Sequence, residues 1–112
     1  IRLLKIWLEV GKDEQEKRFE ARMTNPLKAG KMSAIDLAGQ SKWDEYQRAR
    51  DKVLSATATP NCPWVVIDSN DKTKARIAAM QYVLHNNEYL GKDPVAIGSI
   101  DASILDVTKG AK

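Results

Sequence analysis

Hydrophobic and polar positions alternate first along the opening ten residues. Ile6, Leu8 and Val10 interleave with Lys5, Trp7 and Glu9, which predicts a strand over 1–10 that Gly11 closes. Strong helix formers follow from Lys12 to about Arg22, with Gln15, Phe19 and Met23 spaced for one face. Thr24-Asn25-Pro26 ends that helix, because a residue before proline is pushed out of the helical region. Residues 23–33 have no period and read as a basic loop. Ser33-Ala-Ile-Asp36 has the form of a capping box and starts a short helix. Ser41-Lys-Trp-Asp44 repeats the form and predicts a longer helix to about Ser55, with Trp43, Tyr46, Arg50, Val53 and Leu54 facing inward. After a connector from Thr57 to Cys62, the run Pro63-Trp-Val-Val-Ile-Asp68 is a nearly continuous apolar strand, the kind buried in parallel sheets. Ser69-Asn70 offers an N-cap for a helix from about Asp71 to His85, with Ala75, Ala78, Ala79, Tyr82 and Val83 inward. Gly91, Pro94 and Gly98 then break any period, and the tail carries at most a short helix near Ser103–Val107.

Two buried-type strands joined through helices predict a parallel pair in an α/β sheet. Such a pair cannot cover its own faces and edges. The chain is therefore expected to belong to a larger protein or to associate with copies of itself. It opens inside an apolar run and without Met, so it reads as a piece that starts mid-fold.

Composition narrows the function classes. Lys plus Arg number 18 against 15 Asp plus Glu, and the net charge of +3 in 112 residues gives no reason to expect a nucleic-acid partner. The single Cys excludes an intrachain disulfide and suits a reducing, cytoplasmic setting. No apolar run approaches the roughly 18 residues of a membrane span, and no secretory signal pattern opens the chain.

The charge is unevenly spread. From Lys17 to Lys31 the charged residues are Lys17, Arg18, Glu20, Arg22, Lys28 and Lys31, a local excess larger than that of the whole chain. A basic loop suits a phosphate-binding lid, because Arg engages two phosphate oxygens at once and Lys acts as a movable point charge. The same run also suits a solvated basic face, and the residues alone leave both open. A second candidate is Asp68-Ser-Asn70-Asp71-Lys72, at the carboxyl end of a parallel strand and the start of a helix, where α/β sheets bind ligands. It reads equally as a plain N-cap. His85 and Cys62 each stand alone; neither a GxxxxGK loop nor a GxGxxG loop is present, and no His, Cys or carboxylate set has metal-ligand spacing.

Several segments in order carry a resemblance. Lys5-Ile-Trp-Leu-Glu-Val-Gly-Lys-Asp-Glu-Gln15 is followed by Arg18-Phe-Glu-Ala-Arg22, Asn25-Pro-Leu-Lys28, Lys31-Met-Ser33 and Asp36. Trp43-Asp-Glu-Tyr46-Gln-Arg-Ala-Arg50-Asp, Thr57, Cys62-Pro-Trp64-Val-Val, Asp71-Lys72 and Ala75-Arg76 continue it. Together they resemble the family-2 polyphosphate kinases over residues 1–91, and the 92–112 tail does so more weakly through Lys92-Asp93 and Ile97-Gly98.

The resemblance implies a P-loop kinase-like fold similar to thymidylate kinase, of which this chain would be the C-terminal part, residues 1–91 with a 92–112 tail. It implies phosphoryl transfer between inorganic polyphosphate and nucleotides, with Mg²⁺ held by ligands outside this chain. Arg18, Arg22, Lys28 and Lys31 would be the lid's phosphate-binding residues, and Asp68, Asn70, Asp71 and Lys72 would lie near the nucleotide. Gly30 stands where the family usually has tryptophan, and Cys62 stands where it usually has alanine. Lacking the phosphate-gripping loop, the chain alone is expected to be inactive. The alternatives are a non-catalytic polyanion-binding module or a self-associating α/β module. Self-association would run through the exposed sheet edge or through exchange of elements.

Overall fold

A computed structural model describes residues 1–27, 30 and 33–108. They form β1 (Lys5–Glu9), α1 (Lys12–Thr24), α2 (Ala34–Ser41), α3 (Trp43–Thr57), β2 (Trp64–Asp68), α4 (Lys72–His85), α5 (Pro94–Ile97) and β3 (Leu105–Thr108). The chain divides into two compact units. One is Ile1–Glu9 with Leu54–Lys112, which holds the sheet; the other is the helical segment Val10–Val53.

The expected parallel pair is present. β1 pairs with β2 from Lys5 opposite Trp64 to Glu9 opposite Asp68. Val65 and Ile67 of β2 are fully buried, and Ala75 and Ala78 of α4 join them in the core. Alanine at both helix positions lets the α4 backbone approach the branched strand residues closely. Ile6, Tyr82, Ile100, Ile104 and Leu105 close the margin of this cluster.

The sheet is nevertheless mixed rather than wholly parallel. Residues 105–108, where the sequence suggested a short helix, form β3, antiparallel to β2 with Leu105 opposite Ile67 and Val107 opposite Val65. Leu105 and Val107 alternate with Asp106 and Thr108, and a central strand as apolar as β2 rewards a second neighbour. The approach to β3 is an Asp101 turn, in which the Ser103 hydroxyl and N–H both donate to Asp101 Oδ1 at 2.6 and 3.0 Å. These bonds hold the Asp101 carboxyl below its usual value. Gly98 caps α5 at φ +84°, a conformation that side-chain-bearing residues rarely adopt.

The opposite face of the sheet unit is pinned to the end of α3. Trp64 Nε1 donates to Thr57 Oγ1 at 2.7 Å, and Lys5 Nζ donates to the Thr57 carbonyl. Lys5 also lies 5.3 Å above the Trp64 ring, which meets Trp7 edge-on at 6.0 Å.

In the helical unit, the Ser33 capping box forms as expected. Asp36 N donates to Ser33 Oγ at 3.2 Å, and Ser33 N donates to Asp36 Oδ2 at 2.9 Å. The second expected box does not form. Ser41 is the last residue of α2, and its hydroxyl donates back to the Ala38 carbonyl at 2.8 Å. The expected inward stripe of α3 is also incomplete: Leu54 is buried, whereas Tyr46 and Val53 are exposed. On α1, Phe19 is buried but Met23 is not. On α4, Val83 likewise faces solvent, together with Ile77, Met80 and Leu84.

Candidate functional site

The first candidate sits on α1. Arg18 and Arg22 are one turn apart and so share a face. Arg18 Nε donates to Glu14 Oε1 at 3.2 Å, one turn earlier. Arg22 lies 5.7 Å from the Phe19 ring centre and occupies the last turn, where the helix dipole favours a cation. Asn25 then ends the helix, and its side chain accepts from Leu27 N at 3.0 Å, turning the chain into the loop. Lys28 and Lys31 lie outside the described residues. The helical unit also encloses an open cavity of about 290 Å³, lined mainly by Phe19, Ile35, Trp43 and Tyr46, with the Gln15 amide at its wall. Gln15 Oε1 is shielded there without a hydrogen-bond partner.

The second candidate follows β2. Asp68 Oδ1 accepts from Asn70 N at 2.9 Å, and Asp71 Oδ1 accepts from Lys74 N at 3.1 Å. Asp71, rather than Ser69 or Asn70, is thus the N-cap of α4. Asp68, Asn70, Asp71 and Lys72 are all exposed, gathered at the carboxyl end of a strand whose neighbour β1 ends beside it. Ser69 between them is buried, and its N–H and hydroxyl both donate to the Glu9 carbonyl, at 2.7 and 2.8 Å. Sequence reasoning offered Ser69 only as an N-cap candidate; the signal for its buried role was a small polar group directly after an apolar strand.

The structure therefore groups Arg18 with Arg22 on one helix, and Asp68, Asn70, Asp71 and Lys72 in one loop. These two groups belong to different units. Among the described residues, no set of three or more His, Cys, Asp or Glu side chains could hold a metal ion. No described helix is long and apolar enough to cross a membrane. Cys62 is a lone thiol whose sulfur lies 3.4 Å from the Leu3 carbonyl.

Comparison with known proteins gives these residues a context. The family model for Polyphosphate kinase 2 (PPK2) matches residues 1–94. The chain is 45% identical over 105 residues to ADP-polyphosphate phosphotransferase 1 of Rhizobium meliloti (strain 1021), covering 94% of this chain and 35% of that protein. It is 43% identical over 105 residues to NDP-polyphosphate phosphotransferase 2 of Ruegeria pomeroyi, covering 94% of this chain and 30% of that one. Its fold matches the crystal structure of Polyphosphate Kinase 2 from Arthrobacter aurescens TC1 with a TM-score of 0.70 at 36% identity, over 83% of this chain and 36% of that chain. The chain thus spans about a third of the length of the curated relatives it matches. With the family model matching residues 1–94, from before β1 through α4, the chain belongs to the polyphosphate kinase 2 family.

Proposed function

We propose that this chain supplies the lid and the nucleotide-proximal loop of a P-loop kinase-like phosphotransferase. That enzyme moves phosphoryl groups between inorganic polyphosphate and nucleoside di- and triphosphates in the cytoplasm. The observation that carries the reading is the family match over residues 1–94, which includes the helix bearing Arg18 and Arg22. Phosphoryl transfer asks the protein mainly for positioning and charge neutralisation. Arg18 and Arg22 serve neutralisation: each guanidinium presents a planar fork to phosphate oxygens. Lys28 and Lys31 extend the same charge along the loop. Asp68, Asn70, Asp71 and Lys72 border the nucleotide, with Lys72 as a cation beside the exposed carboxylates. By the family resemblance, Mg²⁺ is held by residues outside this segment.

The test is polyphosphate binding by the chain as a function of salt. Arg18→Ala/Arg22→Ala is expected to weaken binding about tenfold or more, since each lost charge-assisted bond is worth about 1.5–3 kcal/mol. The variant's salt dependence should also be shallower. Lys28→Ala/Lys31→Ala should act in the same direction. Binding as tight as the parent's in either variant removes that pair from the lid.

The sheet edge supports self-association as well. The order β1-β2-β3 leaves β1 with one strand neighbour among the described residues, and Leu8 on it is 58% exposed. Such an edge recruits another strand or exchanges elements with a copy. Sedimentation at moderate concentration is expected to show a dimer or larger assembly; a monomer would count against pairing through this edge.

A further inference from the structure

We propose that Ser69 is a positioning residue that holds the Asp68–Lys72 loop in its nucleotide-binding shape by fastening it to the end of β1. The inference rests on the reading of that loop as nucleotide-proximal. Ser69 is the sole buried polar residue among the described residues, at 6% exposure. Its N–H donates to the Glu9 carbonyl at 2.7 Å, the last bond of the parallel ladder at the Glu9–Asp68 pair. Its hydroxyl donates to the same oxygen at 2.8 Å. A ladder requires only the first bond. The second fixes the Ser69 side chain and, with it, the direction in which the backbone leaves the sheet. Two further bonds shape the loop from within and against α4: Asn70 N donates to Asp68 Oδ1 at 2.9 Å, and Lys74 N donates to Asp71 Oδ1 at 3.1 Å. Ser69 adds a tie to β1. The tied carbonyl also precedes Val10-Gly11, where the chain passes into α1. One small side chain thus anchors the root of the nucleotide loop to the end of β1. A loop held in its bound shape before the ligand arrives gives up less freedom on binding.

Ser69→Ala keeps the ladder bond and is compatible with the fold. In the complete phosphotransferase that carries this sequence, it is expected to raise the KM for nucleotide about threefold to tenfold, the range of one ordinary hydrogen bond. The kcat and the KM for polyphosphate should stay within about twofold. Ser69→Thr, which keeps the hydroxyl, should restore the nucleotide KM. In the 112-residue chain, amide hydrogen exchange at Asn70 and Asp71 should be faster in Ser69→Ala, a readout that needs no nucleotide. Unchanged exchange overturns the proposal. A nucleotide KM that responds to Lys72→Ala but not to Ser69→Ala also overturns it, leaving Ser69 a structural residue. Faster exchange in Ser69→Ala, with a nucleotide KM that responds to neither substitution, overturns instead the nucleotide assignment of the loop.

Discussion

Joined to a segment carrying a glycine-rich phosphate-binding loop, this chain is expected to form nucleoside triphosphate from polyphosphate and nucleoside diphosphate; the 112-residue chain alone is expected to form none. Phosphate transfer depends on donors aimed at charge that develops in the transition state, and losing a single such donor costs about 10²–10³ in rate. This sequence has no GxxxxGK loop, whose backbone N–H groups would cradle the transferred group. Its own contribution under the proposed function, Arg18 and Arg22 on α1, would neutralise phosphate from one side. In the proposed enzyme those donors would act together with Mg²⁺, so the deficit would multiply and the isolated chain is expected to fall below detection. A coupled assay of triphosphate formation, run on both forms, decides the matter. Turnover by the chain alone would sink the proposal. Tight polyphosphate binding without turnover in the joined form would make this a polyanion-binding module instead.

The second large effect concerns the core. Ile67→Ala is expected to destabilise the sheet unit by about 2–5 kcal/mol, the range for deleting a buried branched side chain. Ile67 is fully buried, paired with Leu8 on one side and Leu105 on the other, in the cluster that includes Ala75 and Ala78. Alanine is already the residue facing it, so the helix has no larger side chain with which to fill the gap. Domains of this size hold only about 5–15 kcal/mol in total, and a loss of this order lowers the melting midpoint by about 10 °C or more. Met80→Ala, on the exposed side of α4, should change stability by about 0.5 kcal/mol or less. Thermal unfolding followed by circular dichroism compares the two. Equal effects would mean that the core does not lie where Val65 and Ile67 place it.

What was legible in the sequence was whatever announces itself locally. The alternation in β1, the unbroken apolar run of β2, the Ser33–Asp36 box and the alanine face of α4 all rest on neighbours a few residues away. What escaped depended on distant partners. β3 is four residues long, too short for a period, and its strand character comes from pairing with β2. Ser41-Lys-Trp-Asp44 matches a capping pattern, yet α2 continues through Ser41 because its hydroxyl finds the Ala38 carbonyl. Tyr46 and Val53 fit an inward spacing but lie exposed. The candidate site divides in the same way. Arg18 and Arg22 could be placed on one helix face from spacing alone. The Glu14 contact to Arg18 and the Ser69 tie to Glu9 became visible only in three dimensions.

The sheet's pairing also governs how the chain reaches its native state. Lys5 meets Trp64 across the whole of α1, α2 and α3, and Trp64 meets Thr108 across α4 and α5. Neither ladder is a local hairpin, so each must close a long loop before any backbone bond compensates the lost entropy. The helices can form early from neighbouring residues, whereas the strands come together late. During that interval the apolar β2 segment stands open to intermolecular pairing.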